Sequence, residues 1–152
     1  MKHVISQAIA FAVRCHQGQF DKAGQPYILH PLKVMYLLKS DDEELMSIAV
    51  THDTIEDCFA DDEKGFSELQ YVGMTPRVIA GVRLLTKNPQ QSYEDYIAAI
   101  LTSRDAICMK MTDVRHNMDL RRLKGITEKD LTRIAKYTVT YHKLKAALEN
   151  SQ

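Results

Sequence analysis

The chain has 152 residues, 45% apolar and 26% charged, and its 20 basic side chains balance its 20 acidic ones. That length suits one compact domain, 1–152, whose core needs no disulfide, and a formal net charge of zero excludes a general nucleic-acid binder, which would carry a basic surface. Cys15, Cys58 and Cys108 are odd in number and form no CxxC pair, which speaks against a disulfide framework or a zinc–thiolate site and for reduced thiols in the cytoplasm.

Residues 1–16 do not read as a signal peptide, because Ser6, Gln7 and Arg14 interrupt the apolar run, and no stretch approaches the roughly 20 apolar residues of a membrane span. Val4, Ile5, Ala8, Ile9, Ala12 and Val13 instead fall at the spacing of an amphipathic helix. Gly18 to Pro26 reads as a loop, after which Pro31 opens a helix carrying Leu32, Val34, Met35, Leu37 and Leu38. Ser40-Asp41-Asp42, followed by Glu43 and Glu44, starts a third helix that the pattern carries unbroken through His52 to Asp57. Residues 60–64 read as a turn, and Phe66, Leu69 and Val72 as a short helix before Gly73. Thr75-Pro76 opens the next helix, through Val78, Ile79, Val82 and Leu85. Ser92 with Asp95 resembles a capping box, with helices predicted over 93–102 and 104–118. After Gly125, Thr127-x-x-Asp130 begins a last helix to about Leu148. No period-two alternation, internal repeat or linker is present, so the expected fold is an all-α bundle of about eight helices.

The chemistry concentrates in Ala49-Val50-Thr51-His52-Asp53-Thr54-Ile55-Glu56-Asp57. On one continuous helix His52 would stack over Glu56 and Asp53 over Asp57. Three neighbouring carboxylates repel one another, which raises their pKa values unless a cation is close. A solvated helix end would also account for an isolated His-Asp pair, and two further segments tip the balance. His30 stands at the mouth of a helix in Pro26-Tyr27-Ile28-Leu29-His30-Pro31. Asp113 lies in Lys110-Met111-Thr112-Asp113-Val114-Arg115-His116-Asn117-Met118, on a helix with apolar Ile107, Met111 and Met118. A buried Asp113 needs a partner, and a metal would supply one.

In order and spacing, these pieces resemble the HD superfamily of metal-dependent phosphohydrolases. More narrowly, Cys15-His16-x-Gly18-Gln19, the Pro26–Pro31 and His52–Asp57 segments, and Asp113 with His116-Asn117-Met118 resemble the hydrolase domain of the RelA/SpoT group and the small alarmone hydrolases. The resemblance implies that His30, His52, Asp53 and Asp113 ligate one divalent ion, manganese in the family. Iron, nickel or zinc would also suit a mixed nitrogen and oxygen donor set. It implies that Glu56 and Asp57 position or deprotonate the attacking water, that Lys22 meets phosphate and that Asn117 meets the sugar or its phosphate. Tyr27 is a further candidate substrate contact, and Lys22, Lys110, Arg115, Arg121 and Arg122 are the candidate cations for the leaving phosphate, Lys22 and Arg115 first. The implied reaction is removal of the 3′-pyrophosphate of guanosine tetra- or pentaphosphate, the stringent-response alarmone, by a metal-activated water.

Two departures bear on the substrate. Asp21-Lys22 stands where the family carries Arg-Lys, and in Thr112-Asp113-Val114-Arg115-His116-Asn117 the family's arginine has moved one position, roughly 100° around a helix. A phosphatase acting on another nucleotide or on NADPH is therefore a second reading. A non-catalytic nucleotide or metal sensor is a third, against which the retained Glu56 and Asp57 stand. Alarmone synthesis is not expected, since the hydrolase-like part fills the sequence. The expected partner is a small nucleotide, with no nucleic acid and no membrane; a homo-oligomer through 127–148 stays open. His16 reads as a polar helix-end residue, and His116 as contacting phosphate, orienting Asp113 or capping backbone. Tyr93, Tyr96, Tyr137 and Tyr141 read as packing.

Overall fold

A computed structural model describes residues 3–151. Among them are nine α-helices, one 3-10 turn and no strand. The helices are α1 (Val4–Cys15), α2 (Leu29–Leu37), α3 (Glu43–Thr51), α4 (Thr54–Cys58), α5 (Asp62–Tyr71), α6 (Pro76–Leu85), α7 (Tyr93–Ile100), α8 (Arg104–Asn117) and α9 (Glu128–Asn150); the 3-10 turn is Leu120–Arg122.

Local chemistry sets most helix starts. Asp42, Asp61, Thr75, Ser92, Ser103 and Thr127 each accept a backbone N–H from the first turn of the following helix. These donors have no carbonyl within their own helix. Because Asp61 caps it, α5 begins at Asp62, inside the stretch that the sequence reads as a turn. The Thr127 cap is reciprocal, with Asp130 Oδ2 accepting from Thr127 N at 2.9 Å. Pro31 is the third residue of α2 and not the first. It still sits among the leading positions whose N–H is unused.

Helix α3 lies at the centre, packed against α1, α2, α6 and α8, and α9 runs along α8. Ile48, Ala49 and Val50 of α3 join Phe11, Val82, Ile100, Met109 and Leu144 in one continuous apolar cluster. Helix α6 approaches α3 at Gly81, where a Cβ would stand 2.5 Å from Ile48 Cδ1. Any side chain at that position would push the two helices apart. Arg77 of α6 ties the heads of two helices together, reaching Asp42 at 2.8 Å and Asp105 at 2.8 Å. No helix among the described residues is long and apolar enough to cross a membrane.

One difference from the sequence pattern positions the site. The helix expected from Glu43 through Asp57 is broken at His52–Asp53 into α3 and α4. Side chains occupy the carbonyls on which the helix would continue. Thr51 Oγ1 donates to Ser47 O at 2.6 Å, His52 Nδ1 lies 2.6 Å from Ala49 O, and Thr54 Oγ1 donates to Thr51 O at 2.7 Å. Such bonds compete with the helical ladder. The break places Asp53 at a corner, where its carboxylate meets the imidazole of His52 while its carbonyl accepts from Asp57 N.

Candidate metal centre and active-site cleft

Four places in the fold deliver the polar centre: the first turn of α2 (His30), the end of α3 (His52), the corner before α4 (Asp53) and α8 (Asp113). His30, His52 and Asp113 are buried, and one donor atom from each lies within 4.8 Å of the others. Asp113 Oδ1 is 2.9 Å from His30 Nε2 and 3.5 Å from His52 Nε2. Asp53 Oδ2 is 2.9 Å from His52 Nε2 and 3.8 Å from His30 Nε2. Asp53 is the outer member, beyond the three-residue set that meets the 4.8 Å spacing.

His52 tests whether this set suits a cation. Its Nδ1 faces Ala49 O, so that nitrogen carries the proton and Nε2 presents a lone pair. Nε2 is buried and has no hydrogen-bond partner, although Asp53 Oδ2 stands 2.9 Å and Asp113 Oδ1 3.5 Å from it. A lone pair facing two carboxylates is repulsive unless positive charge lies between them. Without a cation, the two carboxylates instead draw a second proton onto the ring. Burial works against a charged His52, yet Asp53 and Asp113 push its pKa well above the ordinary histidine value. Burial raises the Asp53 carboxyl, but His52 outweighs it and brings it to about 2. Asp113 is likewise held well below the ordinary carboxylate value, against its burial, by Lys110 and the two histidines. Two ionised carboxylates and two imidazole nitrogens fit a divalent cation.

Neighbouring side chains fix this set in place. His30 Nδ1 lies 2.7 Å from His116 Nδ1. Burial, Arg122 and His30 lower the His116 pKa to about 4, so His116 is neutral near pH 7 and accepts from His30. Tyr27 Oη donates to Asp53 Oδ2 at 2.5 Å. Lys110 Nζ donates to Asp113 Oδ2 at 2.9 Å, and Asn117 Nδ2 donates to Asp113 Oδ1 at 3.0 Å.

A cleft of about 360 Å³ opens outward from His30, within the size range of ligand sites. Tyr27, Lys22, Asp57 and Asn117 line it, together with Arg122 and Arg133. Glu56 is exposed beside Asp57 and is not part of the lining. Burial and the Asp53 charge raise both the Glu56 and the Asp57 carboxyl above their ordinary values. Arg115 does not reach the cleft. It is exposed on α8, two residues beyond Asp113 and so about 200° around the helix. Asp21 supports its own loop, with Oδ1 accepting from Ala23 N and Gln25 N at 2.9 Å each, and Oδ2 lies 3.7 Å from Arg122.

No protein-family model matches the chain. It is 31% identical over 150 residues to a protein of Myxococcus xanthus named GTP pyrophosphokinase, which covers 90% of this chain and 19% of that protein. Its identity to the bifunctional (p)ppGpp synthase/hydrolase SpoT of Escherichia coli is also 31%, over 149 residues, covering 89% of this chain and 20% of SpoT. The chain thus spans about a fifth of the length of these curated relatives. A solved structure of a metazoan SpoT ortholog, described as hydrolysing ppGpp, superposes with a TM-score of 0.72 at 22% identity, covering 97% of this chain and 86% of that one. Over about nine-tenths of its length the chain is thus similar to proteins named for (p)ppGpp synthesis or hydrolysis, and it shares the fold of the metazoan SpoT ortholog.

Within this fold, sequence reasoning missed several contacts. Lys110, one of the candidate cations for phosphate, is committed to Asp113; the i,i+3 spacing on α8 carries that signal. His116 orients His30, not Asp113. His16 is fully buried, with Nδ1 2.8 Å from Gln19 Oε1 and Nε2 unpartnered, and nothing local in the sequence marks that burial. Arg133 lines the cleft from α9, far from any motif, whereas Arg122, one of the candidate cations, lines it from the 3-10 turn.

Proposed function

We propose that this domain is a metal-dependent phosphohydrolase that removes the 3′-pyrophosphate from guanosine tetra- or pentaphosphate. His30, His52, Asp53 and Asp113 would hold one divalent ion, with manganese the first candidate. The observation that carries the reading is the buried, unpartnered His52 Nε2 facing two carboxylates at the inner end of a cleft with cationic walls. The names of the relatives and the fold of the metazoan SpoT ortholog support the choice of substrate.

A divalent ion in this set supplies positive charge for a phosphoryl oxygen and acidity for a water. The remaining work falls to the chain. Ala49 O and His116 hold the two imidazoles in the tautomer that leaves Nε2 free. Tyr27 steers Asp53, and Lys110 neutralises the second oxygen of Asp113. Asp57, facing the cleft, accepts the proton of the attacking water at a carboxylate oxygen, with Glu56 beside it orienting that water. The pKa values of both carboxyls, raised toward neutrality, make them stronger bases than free carboxylates. Lys22, Arg122 and Arg133 offset charge on the leaving pyrophosphate, and Asn117 reaches the sugar.

The second reading, phosphate removal from another nucleotide or from NADPH, is favoured by one feature. Asp21 lines the cleft with Oδ1 turned into its own loop, and Arg115 lies outside the cleft, so neither position brings a cation to a guanine there. Incubating the purified protein with guanosine tetraphosphate and manganese, then separating the products, tests the first reading. GDP and pyrophosphate, abolished by chelator, are expected. Release of phosphate from NADPH without turnover of guanosine tetraphosphate would replace it with the second.

A further inference from the structure

We infer that Phe20 is the stacking platform for the base of the bound nucleotide, so that the mouth of the cleft selects a flat ring carrying anionic groups. The inference rests on the nucleotide phosphohydrolase reading and adds the residue that holds the base.

Three aromatic side chains line the cleft: Phe20, Tyr27 and Tyr137. Tyr27 is committed, its hydroxyl to Asp53 and its ring to His16 and His30, at centroid distances of 5.0 and 5.7 Å. Tyr137 is half-buried and feels Lys110, Asp113 and Arg133, which places it toward the inner end. Phe20 is 64% exposed, and of the large apolar residues that are exposed among those described, it alone lines this cleft. No ring or cation among the described residues stacks on it. An apolar ring held in water at the mouth of a polar cleft gains by covering, and a base offers a matching face.

The backbone that carries the ring is rigid. Phe20 pairs with Pro26 in an isolated β-bridge. Tyr27 N donates to Gln19 O, and Asp21 N to Gln25 O, each at 2.8 Å. Gly24, at φ +80°, closes the turn in a conformation that a side chain would strain. The Gln19 side chain anchors the preceding residue on buried His16 at 2.8 Å. The platform is therefore set before the ligand arrives, which limits the entropy lost on binding. Lys22 follows in the same loop and Arg122 lines the same cleft, so cations flank the ring. A flat ring bearing phosphates matches that pairing of aromatic face and positive charge.

The sequence contains no tryptophan, so Phe20→Trp creates a single reporter. Guanosine tetraphosphate should quench its emission, whereas inorganic pyrophosphate, which has no base, should not. In steady-state assays Phe20→Ala should raise KM about ten- to a hundredfold, with kcat within about twofold, and Phe20→Tyr should restore KM. If the wild type turns over and Phe20→Ala leaves KM unchanged, the platform is overturned while the hydrolase reading stands. Quenching of Phe20→Trp in a protein that hydrolyses no nucleotide would support the platform and overturn the hydrolase reading. Absence of both would overturn both.

Discussion

The inner end of the cleft and its mouth are built differently. At the inner end His30, His52 and Asp113 are buried, and each is held by at least one further group: His116, the Ala49 carbonyl, or Lys110 with Asn117. At the mouth Phe20, Lys22 and Asp57 face water, and their positions come from a hairpin-like loop and the start of a short helix. Buried charge tolerates few arrangements, because an unpaired partner costs several kcal/mol. Exposed contacts are free to change at little cost to stability. On the proposed reading the inner end would hold the metal, and the mouth would supply both the base for the attacking water and the contacts that choose the substrate.

Substitutions at the two ends should separate these roles. The largest effect is expected for Asp53→Ala: loss of metal binding in calorimetry together with a fall in turnover of about a thousandfold or more. Asp57→Asn and Glu56→Gln should lower kcat by roughly a hundred- to ten-thousandfold, while calorimetry finds the metal bound as in the wild type. Metal lost from these two variants would move the carboxylates into the ligand set and dissolve the division between the two ends.

That division is also why the sequence could be read unevenly. His30, His52, Asp53 and Asp113 stand out because chemistry restricts residue types and because amphipathic spacing marks the helices that bear them. The helix starts at Asp42, Thr75, Ser92 and Thr127 were legible from capping chemistry. The break at His52–Asp53 was not, since it depends on three side chains turning back onto carbonyls within a pattern that is helical throughout. Arg133 was equally hidden, because the cleft wall it forms exists only once α9 has folded back along α8. Arg115 drew attention by its proximity to Asp113 in sequence, which helical geometry places on another face.

Smaller effects sharpen the comparison. Tyr27→Phe removes the hydrogen bond to Asp53 and should weaken metal binding about ten- to a hundredfold, read by calorimetry. His116 gives a pH signature in metal-free protein. Its pKa is about 4 in the fold and near 6.5 unfolded, so below pH 6.5 the unfolded chain binds the extra proton. The stability contribution is complete above pH 6.5 and is lost as pH falls toward 4. The urea midpoint of the chelated wild type should fall across that window more steeply than that of His116→Gln. The smallest effect is expected for Arg115→Ala, whose kcat and KM should stay within about twofold of wild type, as befits an exposed side chain outside the cleft.

The most direct test of the metal centre is an anomalous-difference map from a crystal of the protein grown with manganese. A single peak is expected at about 2.0–2.3 Å from His30 Nε2, His52 Nε2 and one oxygen each of Asp53 and Asp113. A peak held by other residues, or none in crystals whose solution counterpart hydrolyses guanosine tetraphosphate, would contradict the account.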